Sequence, residues 1–145
     1  MWGLIIKMNR TIMRENAFKC LYEVEVQNDI SEEHIKMFFD NNNIEDEEVK
    51  EYILDIINGV STRKEEIINI ISAHLIDSWK YDRVSKVNKT LLKLAIYEIL
   101  YKKIDFKIVI NEVVELAKRY SEVSAPSFIN GVLANVVKNY KLSIK

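Results

Sequence analysis

Three glycines and one proline are all the punctuation this chain of 145 residues carries, and that scarcity constrains its fold more than any other feature. Average usage of the two residues together is about 12%. Tight reversals draw on residues that reach positive φ or arrive with φ already fixed. A chain so poor in them cannot build the many hairpins of a sandwich or barrel, so long helices with short connections are expected. Apolar residues at 48% and charged residues at 30% suit one packed domain and argue against disorder.

Hydrophobic periodicity fills in the helices. Asn9 reads as an N-cap for a segment reaching Gln27, with Met13, Ala17, Cys20, Leu21 and Val24 recurring at three- and four-residue spacing. Ser31 caps a short acidic helix through Phe39, and Asp40 to Asn43 is a loop. A long segment from Asp46 to Ile76 presents Val49, Ile53, Ile56, Ile57 and Val60, then Ile67, Ile70, Ile71 and Leu75. Within it Gly59 marks either close packing or a break, and Ser61-Thr62 is a second capping position. The irregular stretch from Asp77 to Asp82, around Trp79, is the expected boundary between subdomains 8–77 and 82–145. From Val84 to Leu100 apolar side chains cover more than one face, which predicts a central helix. Asp105 caps Phe106 to Tyr120, with Ile110, Val113, Val114 and Ala117 facing inward. Pro126 falls in the first turn of a last helix whose stripe is Phe128, Ile129, Val132, Leu133, Val136, Val137 and Tyr140. The reading is all-α: about seven helices in two linked small helical bundles.

Several function classes fall away. One cysteine, Cys20, allows no internal disulfide and no multi-cysteine zinc site, which fits a reducing cytoplasm. No apolar run approaches the ~20 residues of a membrane span, and the opening Met1 to Ile6 is too short for a secretory leader. Phosphate-binding loop, dinucleotide, nucleophile-elbow and HExxH patterns are all absent, so neither an enzyme nor a cofactor or metal is expected. His34 beside Glu32 and Glu33 reads as an exposed helix residue, because neighbours on a helix point in different directions. His74 and Asp77, one turn apart, are placed to hydrogen-bond as a cap or packing feature.

The net charge of −1 hides a division. Residues 23–57 carry two basic and twelve acidic side chains, whereas residues 78–145 carry thirteen basic and six acidic. Such segregation either offers a basic face to an anion or follows from a lysine-rich composition. Arg10, Arg14, Phe18 and Tyr22 recur every four residues, a stripe that winds ~40° per step. Arginine forks fit phosphate and aromatic rings stack on unpaired bases. The alternative is solvated arginines over core aromatics, and for Phe18 the core reading is favoured. Two cations in the first turns oppose the helix dipole by ~0.3–1 kcal/mol each, which suggests a use for them.

Asn111 to Lys118 (NEVVELAK) followed by Ser127 to Leu133 (SFINGVL) closely resembles the C-terminal motif of the bacterial transcription antitermination factor NusB family. Arg14-Glu15, Cys20-Leu21-Tyr22, Trp79, Arg83 and Lys89 to Glu98 (KTLLKLAIYE) support the resemblance, which covers about residues 8–140. It implies a single helical domain over 8–145 and a non-enzymatic role: binding single-stranded boxA RNA of ribosomal RNA operons with the ribosomal protein NusE, within the elongating RNA polymerase complex. By the same analogy Arg10 and Arg14 contact RNA phosphates, Ser124, Ser127 and Phe128 complete the RNA surface, and Tyr22 and Asn88 lie toward the protein partner.

The chain departs from the family pattern at Arg10-Thr11-Ile12-Met13, where a longer basic run is usual, at Asn88, usually acidic, and at Val123-Ser124-Ala125-Pro126, usually charged. Weaker autonomous RNA binding is the expected consequence. Residues 1–7 precede the family's usual start, so they read as an extension, not native or else disordered, with Met8 the expected initiator. Two other roles stay open: a helical protein-interaction scaffold with little RNA binding, and a module that positions ribosomal RNA substrate for a separate methyltransferase. Monomer and homodimer are equally open.

Overall fold

The computed structural model describes residues 9–76 and 79–142, and among them it shows seven α-helices and no strand. The expected extension 1–7, Met8, and the His74–Asp77 pairing lie outside the described residues. By internal packing the chain divides into two units between Ile57 and Asn58. This division lies upstream of the boundary expected at 77–82. The helix that boundary would have assigned to the first half, Lys64–Ala73, packs against the helix Lys86–Ile96 and the 3-10 turn Tyr81–Arg83. No helix among the described residues is long and apolar enough to cross a membrane.

In the first unit, α1 (Arg10–Gln27) begins where Asn9 Oδ1 accepts the Ile12 N–H at 2.9 Å. Its predicted apolar face is buried, and it ends at Asn28, whose left-handed φ of 51° suits an asparagine. The helix α2 (Glu32–Asn41) is capped by Ser31, which accepts the His34 N–H at 3.2 Å, and Glu32 and Glu33 complement its dipole. It packs on α1. The next helix, α3 (Glu47–Thr62), buries Val49, Ile53, Ile56, Ile57 and Val60, and the division between units falls inside it.

In the second unit the chain breaks at Arg63, between α3 and α4 (Lys64–Ala73), and no side chain caps it there. Gly59 is helical and marks close packing: a Cβ at this position would overlap the Tyr97 ring. Ser85 Oγ accepts the Asn88 N–H and starts α5 (Lys86–Ile96), where Leu91, Leu92, Leu94, Ala95 and Ile96 are fully buried, as a central helix requires. A π-helical turn, Tyr97–Tyr101, extends it. Asp105 caps α6 (Phe106–Tyr120), whose buried face is Val109, Val113, Leu116 and Ala117. Ile110 and Val114, expected inside, are half-buried. The last helix, α7 (Ala125–Asn139), buries Ala125, Ile129, Val132, Leu133 and Val136, while Tyr140, expected in the core, follows the helix end and is 44% exposed. Helices α4, α6 and α7 all pack on α5.

Candidate nucleic-acid interface

In the first unit the candidate residues stand on α1, and the stripe Arg10, Arg14, Phe18, Tyr22 does not share one environment. Three steps of ~40° wind it about a third of the way round the helix, so it passes from solvent into the core. Arg10 is exposed, and its guanidinium lies over the Tyr52 ring, 4.6 Å from the centroid. Stacking leaves the edge of the fork able to donate to an anion. Arg14, expected to contact phosphate, is 2% exposed and engaged within the fold. Phe18 is a core residue, and Tyr22, half-buried, packs beside it with ring centroids 6.3 Å apart. Tyr52 was not foreseeable from sequence, because nothing local connects it to Arg10.

The second unit brings Ser124, Ser127 and Phe128 into one turn at the start of α7. Ser124 occupies the N-cap position in helical backbone geometry, and its side chain makes no capping bond. Ser124 and Ser127 are exposed and Phe128 is half-buried. Pro126 has no N–H to leave unsatisfied, and no acidic residue stands in the first turn.

The preceding loop is held from below by Asn88, which is 3% exposed. Its Nδ2 donates to Glu122 Oε1 at 3.2 Å, and Ser121 Oγ stands 2.8 Å from Asn88 Oδ1 and 2.7 Å from Glu122 Oε2. Asn88, expected to lie toward a protein partner, is buried here, and its amide bonds within the unit at the entry to α7. The Ser121 hydroxyl, then the residue's own backbone N–H, then Asn88 hold the Glu122 carboxyl below its ordinary 4.5.

Residues ahead of α5 reach the same helix. Asn139 Nδ2 meets His74 Nε2 at 3.1 Å, and the other ring nitrogen donates to the Ile70 carbonyl at 2.7 Å. Ile76 Cδ1 lies 3.6 Å from the point where a side chain at Gly131 would begin. Trp79 then packs against Phe128 with ring centroids 5.7 Å apart. The sequence marked Trp79 as part of an irregular stretch and of the family resemblance, but not as a site residue; the signal that could have raised it was a large ring outside any helix, followed by Lys80, Arg83 and Lys86.

Cys20 is 1% exposed, and burial first, then the Glu23 charge, push its thiol up to about 12, far from a reactive thiolate. His34 Nδ1 meets the Asp29 carbonyl at 2.7 Å in the turn before α2. Among the described residues no group of three His, Cys, Asp or Glu side chains could hold a metal ion.

The NusB family model matches residues 11–138. The transcription antitermination protein NusB of Acetivibrio thermocellus is 45% identical over 136 residues, with 90% of each chain covered. NusB of T. maritima superposes with a TM-score of 0.81 at 30% identity, covering 94% of this chain and 100% of its own. A chain from the crystal structure of antitermination factors NusB and NusE in complex with double-stranded RNA also gives 0.81, at 29% identity, covering 90% of this chain and 97% of its own. Sequence and fold agree along nearly the whole described length, and the chain belongs to the NusB family of transcription antitermination proteins, which are not enzymes.

Proposed function

We propose that the chain is an RNA-binding adaptor that takes boxA-type single-stranded RNA of ribosomal RNA operons together with NusE and joins both to the elongating RNA polymerase complex. The observation that carries this reading is the likeness, over 90% of the chain, to a protein crystallised with NusE and double-stranded RNA. The chain's own residues supply matching chemistry. Arg10, preset on Tyr52, offers a fork for phosphate, and Ser124, Ser127 and Phe128 offer hydroxyls and a ring for bases. Tyr22 stands toward NusE in this reading, and Asn88 acts as a positioning residue behind Ser124. The narrower role of a protein scaffold draws support from one observation, the burial of Arg14 at 2% exposure.

The test is a titration of labelled boxA-type single strand, a scrambled strand and a duplex, at two salt concentrations, with and without NusE. Selective binding of the boxA strand, strengthened by NusE, is expected. Arg10→Ala should weaken it and flatten the salt dependence by roughly one unit of slope. A stable complex with NusE that treats boxA and scrambled RNA alike at both salts would leave the scaffold. The mass of the free protein in the same buffers decides between monomer and homodimer.

A further inference from the structure

Trp79 is 52% exposed, although a tryptophan ring is among the largest apolar surfaces a fold can bury. Its backbone N–H donates to the Ile76 carbonyl at 3.3 Å, and Ile76 and His74 are anchored against Gly131 and Asn139 of α7. The ring meets Phe128 at an interplanar angle of 46°, one helical turn from the exposed hydroxyls of Ser124 and Ser127. Lys80, Arg83 and Lys86 follow in sequence and are exposed, and residues 78–145 carry thirteen basic against six acidic side chains. A half-exposed aromatic pair in a cationic part of the chain suits a ligand that is anionic and presents a flat apolar face. An unpaired nucleotide is both. A base inside an A-form duplex has its faces already stacked, so the pair would favour single strands.

We infer that Trp79 and Phe128 form a platform on which one unpaired base of the RNA stacks, with Trp79 a base-contacting residue. The inference rests on the RNA-binding reading and adds a contact that reading does not contain. Stacking differs from phosphate binding in one measurable respect: it releases no counterions, so its loss lowers affinity at every salt concentration alike.

The experiment uses the full chain carrying Trp2→Phe, which makes Trp79 its sole tryptophan, with NusE present. The probe is a short boxA-type single strand, alongside versions with one abasic position moved along it and a duplex. Tryptophan fluorescence should quench with the single strand and not with the duplex. Trp79→Ala and Trp79→Leu should both lose roughly 5- to 100-fold in affinity with the salt slope unchanged, and Trp79→Phe should retain most of it. Leucine keeps an apolar contact on Phe128, so a loss shared by alanine and leucine is a loss of the ring face. One abasic position should abolish the difference between the parent and the Trp79→Leu variant. RNA binding that is selective, Arg10-dependent and indifferent to Trp79→Leu would overturn the platform and leave the adaptor reading standing. Trp79→Leu weakening NusE binding without RNA would assign the ring to a protein contact and overturn it too. No RNA binding by the unaltered chain with NusE would overturn both.

Discussion

Helices α1 and α7 both begin without an acidic residue in the first turn, yet they begin in opposite ways. At α1 the cap is closed by Asn9 and the first helical residue is a cation, Arg10, braced on Tyr52. At α7 no side chain closes the cap, Pro126 removes one amide donor, and the exposed groups are hydroxyls with an aromatic pair beside them. One helix start offers charge, the other offers hydrogen bonds and a ring face. Contacts through charge are strong, salt-dependent and blind to sequence, whereas contacts to base edges and faces are less sensitive to salt and carry the selectivity. If both starts meet RNA, variants at α1 should change the salt slope and variants at α7 should change discrimination.

The largest effect should come from the arginine that does not face solvent. Arg14→Ala removes a buried, partnered side chain, and a loss of about 3 kcal/mol is expected. That would lower the melting temperature by roughly 10 °C. Arg10→Ala, at an exposed position, should stay within about 0.5 kcal/mol of the parent while flattening the salt dependence of RNA binding. Thermal melts of the two single variants are enough. Equal stability of both would show that Arg14 is not held by the fold and would return it to the surface.

Next in size is the support beneath α7. Asn88→Ala deletes the amide that bonds Glu122 and Ser121, and about 1–3 kcal/mol should be lost. Its effect on binding sharpens the comparison: discrimination between boxA and scrambled strands should fall while the salt slope holds. A changed slope with discrimination intact would mean that the α7 end, too, acts through charge.

How much of this the sequence disclosed follows from distance along the chain. Caps at Asn9, Ser31 and Asp105 were legible because each acceptor serves an N–H two or three residues on. Ser124, Ser127 and Phe128 share a turn, so their grouping was legible as well. What escaped was made by contacts between distant segments: Arg10 on Tyr52, Gly59 against Tyr97, Asn88 under Glu122, Trp79 on Phe128. Arg14 escaped for another reason, since charge says little about burial once a partner is supplied inside. In α6 the apolar Ile110 and Val114 flank the buried Val109, Val113, Leu116 and Ala117, and which apolar positions turn inward depends on what the helix packs against. The division between units was hidden because it falls inside a continuous helix, where periodicity shows no seam.

The two helix starts can also be compared directly by cap substitution. Asn9→Ala removes an acceptor from the Ile12 N–H and should cost about 1 kcal/mol. Ser124→Ala removes no capping bond and should cost less than about 0.5 kcal/mol. Ser124→Asp should stabilise α7 by a few tenths of a kcal/mol through the helix dipole, yet weaken RNA binding by placing an anion beside the phosphates. Melts and titrations of these three variants read the comparison from both sides. A loss at Ser124→Ala as large as at Asn9→Ala would mean that both starts are closed in the same way.

The smallest effect is in acid. Glu122 has its carboxyl lowered from 4.5, chiefly by the Ser121 hydroxyl, and Asp29, in the turn before α2, is lowered from 3.8 by the Ser31 hydroxyl and backbone N–H. In each case the fold prefers the ionised form. The stabilisation is therefore present above the unfolded value and is lost as pH falls through the folded one. Both groups are open to solvent, so the effect on stability is slight and the titration itself is the sharper reading. Carboxyl carbon shifts followed from neutral to acid pH should show both midpoints below their ordinary values. Ser121→Ala should move the Glu122 midpoint up toward 4.5 and leave that of Asp29 where it is. An unmoved Glu122 midpoint would mean that the Ser121 proton goes to Asn88 Oδ1 instead, 2.8 Å away. The loop before α7 would then be tied to α5 by the amide through both of its ends, and the Asn88 variant should be the more damaging for it.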